Sequence, residues 1–345
     1  MDVQAPDMAP AGAAERVSKG QRPAIVDVDW TVAVLLPCYN EGLSIRSVVQ
    51  QFRTVLPHAM IFVYDNRSTD NTADEARAGG AIVRAEPWPG KGNVVRRMFA
   101  DIDADIYLMA DGDGTYDATQ APEMLRRMLD EHLDMVVGTR QDIYSEAHRA
   151  GHGFGNWLFN TLYRRLFGVL FTDIFSGYRA FSRRFVKSFP AVSAGFEIET
   201  EMSVHASLLR MPVAEIPTAY GARQEGSVSK LNTVRDALRI LGTFVLLFKE
   251  VRPAAFFGAI AGVMALASIS LGVPIVLTFM ETGLVPRFPT AILATGLAVL
   301  AGIATVCGLV LDSVARGRLE HKRLTYLSMA QLSLRQPRRP CSPVS

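Results

Sequence analysis

Asp111-Gly112-Asp113 sets two carboxylates two residues apart, directly after the apolar run Ile106-Tyr107-Leu108-Met109-Ala110. On an extended segment residues i and i+2 point to the same side, so both carboxylates can grip one cation where a buried strand surfaces. Hard oxygen ligands with few neighbours suit Mg²⁺ or Mn²⁺, which keep open positions for the oxygens of a diphosphate. Asp and Gly also favour turns, so the tripeptide alone reads either as a metal grip or as a turn. A calcium loop is excluded: in D-G-D-G-T-Y-D the position that needs Gly is Tyr116, and the twelfth is Pro122 instead of Glu.

The elements around this motif follow one pattern. Val32–Leu36 is a short apolar run ended by Pro37, and a helical pattern follows from Glu41 to about Leu56. Met60–Tyr64 repeats it and ends at Asp65, with a helical stretch after Asp70. Then come Ala81–Val83, a helix from about Asn93 to Ile102, the strand at 106–110, a helix near 120–131, and Met135–Val137. Alternating strand and helix implies an α/β fold with a mostly parallel sheet covered on both faces. Ligands of such sheets collect at the carboxyl ends of the strands. Pro37-Cys38-Tyr39-Asn40-Glu41, Asp65-Asn66 and Asp111-Gly112-Asp113 each follow such an end, so three polar motifs converge on one rim, which favours the metal grip over the turn.

At 345 residues the chain is long enough for one or two domains, and 49% hydrophobic content supports a substantial core. The formal charge of +2 is unevenly spread: residues 312–345 carry seven Lys/Arg against two acids. A short basic end beside apolar segments suits anionic lipid headgroups and argues against a nucleic-acid partner. Cys38, Cys307 and Cys341 are far apart and odd in number, which implies neither a disulfide framework nor a zinc site, and Cys38 and Cys307 read as small core residues. His148 and His152 lack an intervening Glu and stand beside Gly151 and Gly153, so zinc binding is not expected there either. Residues 1–28 read as a disordered leader without a secretory signal.

Between Arg252 and Glu281 lie 28 positions without Asp, Glu, Lys, Arg or His, and between Arg287 and Asp312 lie 24 more. Roughly 20 apolar residues cross a bilayer, so residues 253–312 are expected to form a hairpin of two spans. Lys249, Arg252, Arg316, Arg318, Lys322 and Arg323 flank its two ends, while the connector holds only Glu281 and Arg287. The positive-inside rule then puts both ends, and the domain at 29–230, in the cytoplasm, with the hairpin in the inner membrane. Residues 231–252 suit a helix in the interface or an ordinary packing helix, and 313–345 a basic cytosolic tail.

LLPCYNE, VYDNRSTDNT, PGKGN, DGDGTYD, VVGTR, FSGYRAFSR and YGARQEGSVSK, in this order, resemble the inverting A-type glycosyltransferases that act on polyprenyl phosphate. These include dolichyl-phosphate mannose synthases and bacterial polyisoprenyl-phosphate glycosyltransferases; the likeness covers roughly residues 31–250, and the two-span hairpin resembles the bacterial branch. It implies a Rossmann-like nucleotide-sugar transferase domain, a nucleotide-diphosphate-sugar donor, a polyprenyl-phosphate acceptor, and homo-oligomers formed through the membrane part. It also implies that Asp111 and Asp113 hold Mg²⁺ or Mn²⁺ on the sugar diphosphate, that Asp65 contacts the nucleobase or ribose, and that Pro37, Tyr39 and Glu41 line the nucleotide pocket. Asn66 stands where a second Asp is usual, and Arg67 where Gly is usual.

A phosphate acceptor is already ionised near neutral pH, so attack on the anomeric carbon needs alignment and charge neutralisation instead of a strong base. Arg140, Arg179, Arg223 and Lys230 are the candidate phosphate-holding cations, with Ser229 as a hydroxyl donor. Arg223 and Lys230 lie just before the segment that reaches the bilayer, whereas Arg140 and Arg179 rest more on the resemblance. Lys91 in PGKGN reads either as a donor-gripping loop or as a helix-start turn. Glu197, Glu199 and Glu201 recur at every second position, and the resemblance implies an active-site carboxylate among them without assigning its role. The rivals are a membrane-anchored transferase with a non-lipid acceptor, a nucleotidyl transferase and an inactive membrane scaffold. A processive synthase is disfavoured because Trp30, Trp88 and Trp157 stand in no Q-x-x-R-W setting.

Overall fold

A computed structural model describes residues 30–142, 171–195, 197–221, 242 and 245–331. The chain begins with β1 (Val32–Cys38), α1 (Ile45–Val55), β2 (Met60–Asp65), α2 (Thr72–Gly79), β3 (Ile82–Ala85), α3 (Lys91–Asp101) and β4 (Ile106–Met109). It continues with α4 (Ala121–Asp130), β5 (Met135–Asp142), β6 (Arg179–Ser182), α5 (Arg183–Ser188), α6 (Ile198–Leu209) and β7 (Val213–Tyr220). Two long helices close the described chain, α7 (Pro253–Thr282) and α8 (Phe288–Leu327).

Seven strands form one sheet in the order β3-β2-β1-β4-β6-β5-β7. The pairs β1–β2, β1–β4, β2–β3 and β5–β7 are parallel, as the alternating pattern predicts. β6 is the exception: it lies antiparallel between β4 and β5. Its short run RAFS follows a long connection, so its direction is set by pairing with Met109 and Val137 and not by any local period.

Both faces of the sheet are buried, which is why the central strands are apolar throughout. Ala33 and Leu35 of β1 face α3, α5 and α6 in one core layer, with Met98, Phe99, Phe181, Phe185 and Met202. Val34, Leu36 and Cys38 face α1 and α4 in the other, with Val49, Phe52, Met124 and Met128. The two-residue alternation of β1 thus feeds two cores at once.

Helices α7 and α8 are each long and apolar enough to cross a membrane, at 30 and 40 residues. Their apolar side chains are largely exposed, including Val263, Leu266, Ile292 and Val306. An exposed apolar surface of this extent marks a membrane or partner contact. Two expectations change here. Cys307 is exposed on α8, because an apolar helix of this kind turns its side chains away from the soluble core. And α8 continues as regular helix past residue 312 to Leu327, so this stretch is not a free tail: Tyr326 Oη donates to Asp134 Oδ2 at 2.6 Å while Arg184 stacks on the Tyr326 ring.

Candidate active site

The sheet brings the ends of β1, β2 and β4 to one rim. There, a cavity of about 570 Å³ is lined by Pro37, Tyr39, Glu41, Asn66, Arg67, Lys91, Asp111 and Asp113, among others. Tyr39 is half-exposed in its mouth, and Glu41 N donates to Thr72 Oγ1 at 2.8 Å, fixing the loop after β1. Of the expected nucleotide residues, Asp65 alone is missing from the wall. Its carboxylate accepts from Ser68 N at 3.3 Å within its own turn, and Asn66 and Arg67 form the wall at that strand end.

The Asp-x-Asp loop is tied to its surroundings. Ser44 Oγ donates to Gly112 O at 2.7 Å, and a Cβ at Gly112 would stand 2.4 Å from Cys38 Sγ, so a side chain there has no room. Asp113 is buried, and its Oδ1 accepts from Thr115 N and Thr115 Oγ1 at 3.2 and 2.7 Å. Asp111 is held by Lys91, whose ammonium also pairs with Glu199 Oε1 at 2.6 Å. Burial works against the Lys91 charge, but Asp111 and Glu199 outweigh it and hold the ammonium above the ordinary lysine range. Burial also pushes the Glu199 carboxyl up, and Lys91 pulls it back only in part. Lys91 opens helix α3, so its position answers the ambiguity of PGKGN: it starts a helix and also faces the cavity.

Asn66 organises the loop that carries Lys91, a role the sequence did not reveal. Its Nδ2 donates to Glu86 O at 3.0 Å and to Trp88 O at 2.7 Å, and its Oδ1 accepts from Gly90 N at 2.8 Å. An amide can donate and accept at once, whereas an ionised carboxylate can only accept. Gly90 has φ 119°, and a Cβ there would lie 2.2 Å from Ala194 O, so this turn requires glycine. Gly92 N then donates to Ala194 O at 3.0 Å, seating the loop on residues 192–195.

Glu199 was only one of three candidate acids, and the fold separates them. All three lie at the start of helix α6 and not on a strand. Glu199 points to Lys91; Glu201 accepts from Val192 N and Ser193 N at 3.0 and 2.8 Å; Glu197 accepts from Gly195 N at 3.3 Å.

The two candidate arginines of the described chain part company. Arg140 sits near the rim with its fork on Asp173, Nε and Nη2 each 2.8 Å from a carboxylate oxygen, and its guanidinium 5.7 Å from the Tyr220 ring centroid. Burial raises the Asp173 carboxyl, but the Arg140 hydrogen bonds win and leave it below the usual range. Arg179 contradicts the phosphate-holding expectation. It is fully buried, donating to Ile174 O and Ser176 O at 2.8 Å each and to Ser203 Oγ at 2.9 Å. As the first residue of an interior strand its side chain points into the core, where it braces the chain entering β6. Arg223, Ser229 and Lys230, like His148 and His152, lie outside the described residues.

Between the strand ends stand three tyrosines. Tyr116 Oη accepts from Gly177 N at 2.9 Å, and its ring lies 5.3 Å from both Tyr178 and Tyr220. Burial and the neighbouring Asp111 push the Tyr116 phenol up, so it stays protonated.

The donor set fits a divalent ion shared with a substrate. Among the described residues no group of three or more His, Cys, Asp or Glu could form a cage. Asp111 and Asp113 both line the cavity, and Mg²⁺ and Mn²⁺ are held by one or two carboxylates when phosphate oxygens complete the shell.

The profile of Glycosyl transferase family 2 matches residues 33–189. Glycosyltransferase AglJ of Haloferax volcanii is 36% identical over 231 residues, 66% of this chain and 76% of that protein. The chain belongs to glycosyl transferase family 2. Protein RfbJ of Shigella flexneri is 54% identical to this glycosyltransferase over 124 residues, 36% of the chain and 96% of RfbJ. The crystal structure of glucosyl-3-phosphoglycerate synthase from Mycobacterium tuberculosis with Mn²⁺ and uridine-diphosphate-glucose superposes with a TM-score of 0.52 at 23% identity. It covers 64% of this glycosyltransferase and 79% of that protein, and confirms the Rossmann-like fold with its mostly parallel sheet.

Proposed function

We propose that this glycosyltransferase moves a sugar, with inversion, from a nucleotide-diphosphate-sugar to the phosphate of a polyprenyl lipid at the cytosolic face of the inner membrane. The product, a polyprenyl-phosphate-sugar, would serve glycan modification of the cell envelope. The observation that carries this reading is the joining of a diphosphate-sized cavity, bearing Asp111 and Asp113, to a pair of helices able to cross a bilayer. The family requires a nucleotide-sugar donor, and the helices supply a reason for a lipid acceptor.

Asp111 and Asp113 would hold Mg²⁺ or Mn²⁺, which neutralises charge on the departing nucleoside diphosphate. Lys91 stands at the same wall and supplies a fixed positive charge beside the diphosphate. Pro37, Tyr39, Glu41 and Asn66 shape the nucleoside end of the cavity. Arg140 flanks the rim, and Arg223, Ser229 and Lys230 are assigned to the acceptor phosphate on their place in the sequence before the membrane segment. An ionised phosphate oxygen attacks the anomeric carbon as the sugar–diphosphate bond breaks, so no side chain has to accept a proton.

The test is transfer of labelled sugar from a panel of nucleotide sugars to a short polyprenyl phosphate by the purified full chain. Lipid-linked product that disappears with a metal chelator and with Asp113→Ala is expected. Label arriving only on a water-soluble acceptor would replace the lipid reading, and a fully active Asp113→Ala would remove the metal role.

A further inference from the structure

Arg67 stands exposed in the wall of the donor cavity, and among the described residues it makes no ion pair, hydrogen bond or ring contact. The other charged groups of that wall are committed: Lys91 to Asp111 and Glu199, Asp113 to Thr115, and Glu41 is engaged as well. The Arg67 backbone is held at φ 64°, in the left-handed region that glycine occupies at less cost. One wall of the cavity thus bears an uncommitted guanidinium on strained backbone, and strain of this kind gathers at ligand sites.

The loop that carries it is braced against the loop after β1. Asn40 N donates to Ser68 Oγ at 2.9 Å, Thr69 N donates to Asn40 Oδ1 at 2.8 Å, and Ser68 N donates to Asp65 Oδ1 at 3.3 Å. Tyr39 and Arg67, both in the cavity wall, are therefore tied to each other through the residue that follows each of them. Strand order says which part of the donor they meet. β2 and β4 flank β1, so the end of β2 stands two strand spacings, about 10 Å, from the Asp111 end of β4. The diphosphate belongs with Asp111, Asp113 and Lys91, and the group one ribose away, over the ends of β1 and β2, is the nucleobase.

Half-exposed Tyr39 offers a ring for the face of that base, and Arg67 offers donors for its edge. A guanidinium carries N–H donors and no acceptor. It meets a carbonyl oxygen with a charge-assisted hydrogen bond, whereas an exocyclic amino group at the same place sets N–H against N–H. We propose that Arg67 selects the nucleobase of the donor, favouring a base with a carbonyl oxygen, O4 of uracil or O6 of guanine, over one with an amino group there, N4 of cytosine or N6 of adenine. This rests on the nucleotide-sugar reading above and is independent of the acceptor and of the membrane.

Calorimetric titration of the full chain in mild detergent with Mn²⁺, using UDP, CDP, GDP and ADP separately, tests this. UDP and CDP share diphosphate, ribose and ring size and differ at the edge that Arg67 reads. The parent should bind UDP about ten-fold more tightly than CDP, or GDP than ADP, according to which ring size the cavity admits, the effect of one charge-assisted hydrogen bond. In Arg67→Gln, whose amide both donates and accepts, this preference should fall by about ten-fold, through weaker binding of the carbonyl base alone. Arg67→Gly, which suits the left-handed backbone, should lose it in the same way. Because Arg67 has no partner among the described residues, both variants should melt close to the parent, and the comparison of nucleotides on the parent does not depend on them. Equal weakening of all four nucleotides would overturn the proposal and make Arg67 a phosphate or ribose contact. No preference in the parent, or an unchanged preference in both variants, would overturn it too. Failure of every nucleotide to bind would instead remove the donor-cavity reading and the proposal with it, so the two failures are distinguishable.

Discussion

Lys91 Nζ lies 2.6 Å from Glu199 Oε1 and also bonds the Asp111 carboxylate, so one ammonium joins the start of α3, helix α6 and the Asp-x-Asp loop. Removing one partner of a buried charge group leaves the others uncompensated. Lys91→Met should therefore destabilise the protein by about 3–5 kcal/mol. Because Asp111 then faces the cavity unpaired, Mn²⁺ should raise the unfolding temperature of the variant more than that of the parent. Thermal unfolding with and without Mn²⁺ measures both effects, and an unaltered melting temperature would contradict the bridge.

Asn66→Asp restores the residue usual in the resembling enzymes, yet here it should be harmful. The carboxylate keeps the bond from Gly90 N but loses both donations, to Glu86 O and Trp88 O. With the Lys91 loop loosened, nucleotide affinity should fall by about ten-fold, in line with roughly 1.5 kcal/mol of lost hydrogen bonding. Calorimetric titration with nucleoside diphosphate reads this directly.

Arg179→Met should act on stability and leave acceptor binding alone. The change strands Ile174 O and Ser176 O in the core and removes the donor to Ser203 Oγ, which keeps its own bond to Glu199 O, at a cost of about 3 kcal/mol. At a temperature where the variant remains folded, its KM for the acceptor should match the parent. A raised KM with unchanged stability would return Arg179 to the phosphate site.

His205 predicts a pH dependence. Burial, assisted by Lys322, lowers its pKa from 6.5 to about 3. The unfolded chain binds the proton more readily, so the contribution to stability is complete above about pH 6.5 and is lost as pH falls toward 3, at up to about 1.4 kcal/mol per pH unit. His205→Phe, set among Phe185 and Phe189, should flatten the fall in melting temperature between pH 7 and pH 5.

The first half of the catalytic domain was legible in the sequence because its signals are local. β1, β2 and β4 are apolar runs ended by polar motifs, and each motif sits at or just beyond the carboxyl end of its strand in the structure. Arg67, where Gly is usual, keeps a left-handed backbone at φ 64°, so the turn conformation persisted although its usual residue did not. β6, β7 and α6 were not legible. β6 is a four-residue run after a long connection and reverses direction between two strands, a choice made by pairing across the sheet. α6 is buried on nearly every side and so lacks an amphipathic stripe, and β7 is interrupted by Pro217.

By itself the sequence determined the alternation of strand and helix, the placing of Asp111 and Asp113 at a strand end, and two stretches long enough to cross a bilayer, because each is a matter of period or length along the chain. Only the tertiary structure decided that Glu199, and neither Glu197 nor Glu201, meets Lys91, that Arg179 points inward while Arg140 stays near the rim, and that α8 folds back onto Asp134. These outcomes depend on which distant segments pack together, and burial and charge pairing between residues a hundred positions apart leave no periodic trace in the chain.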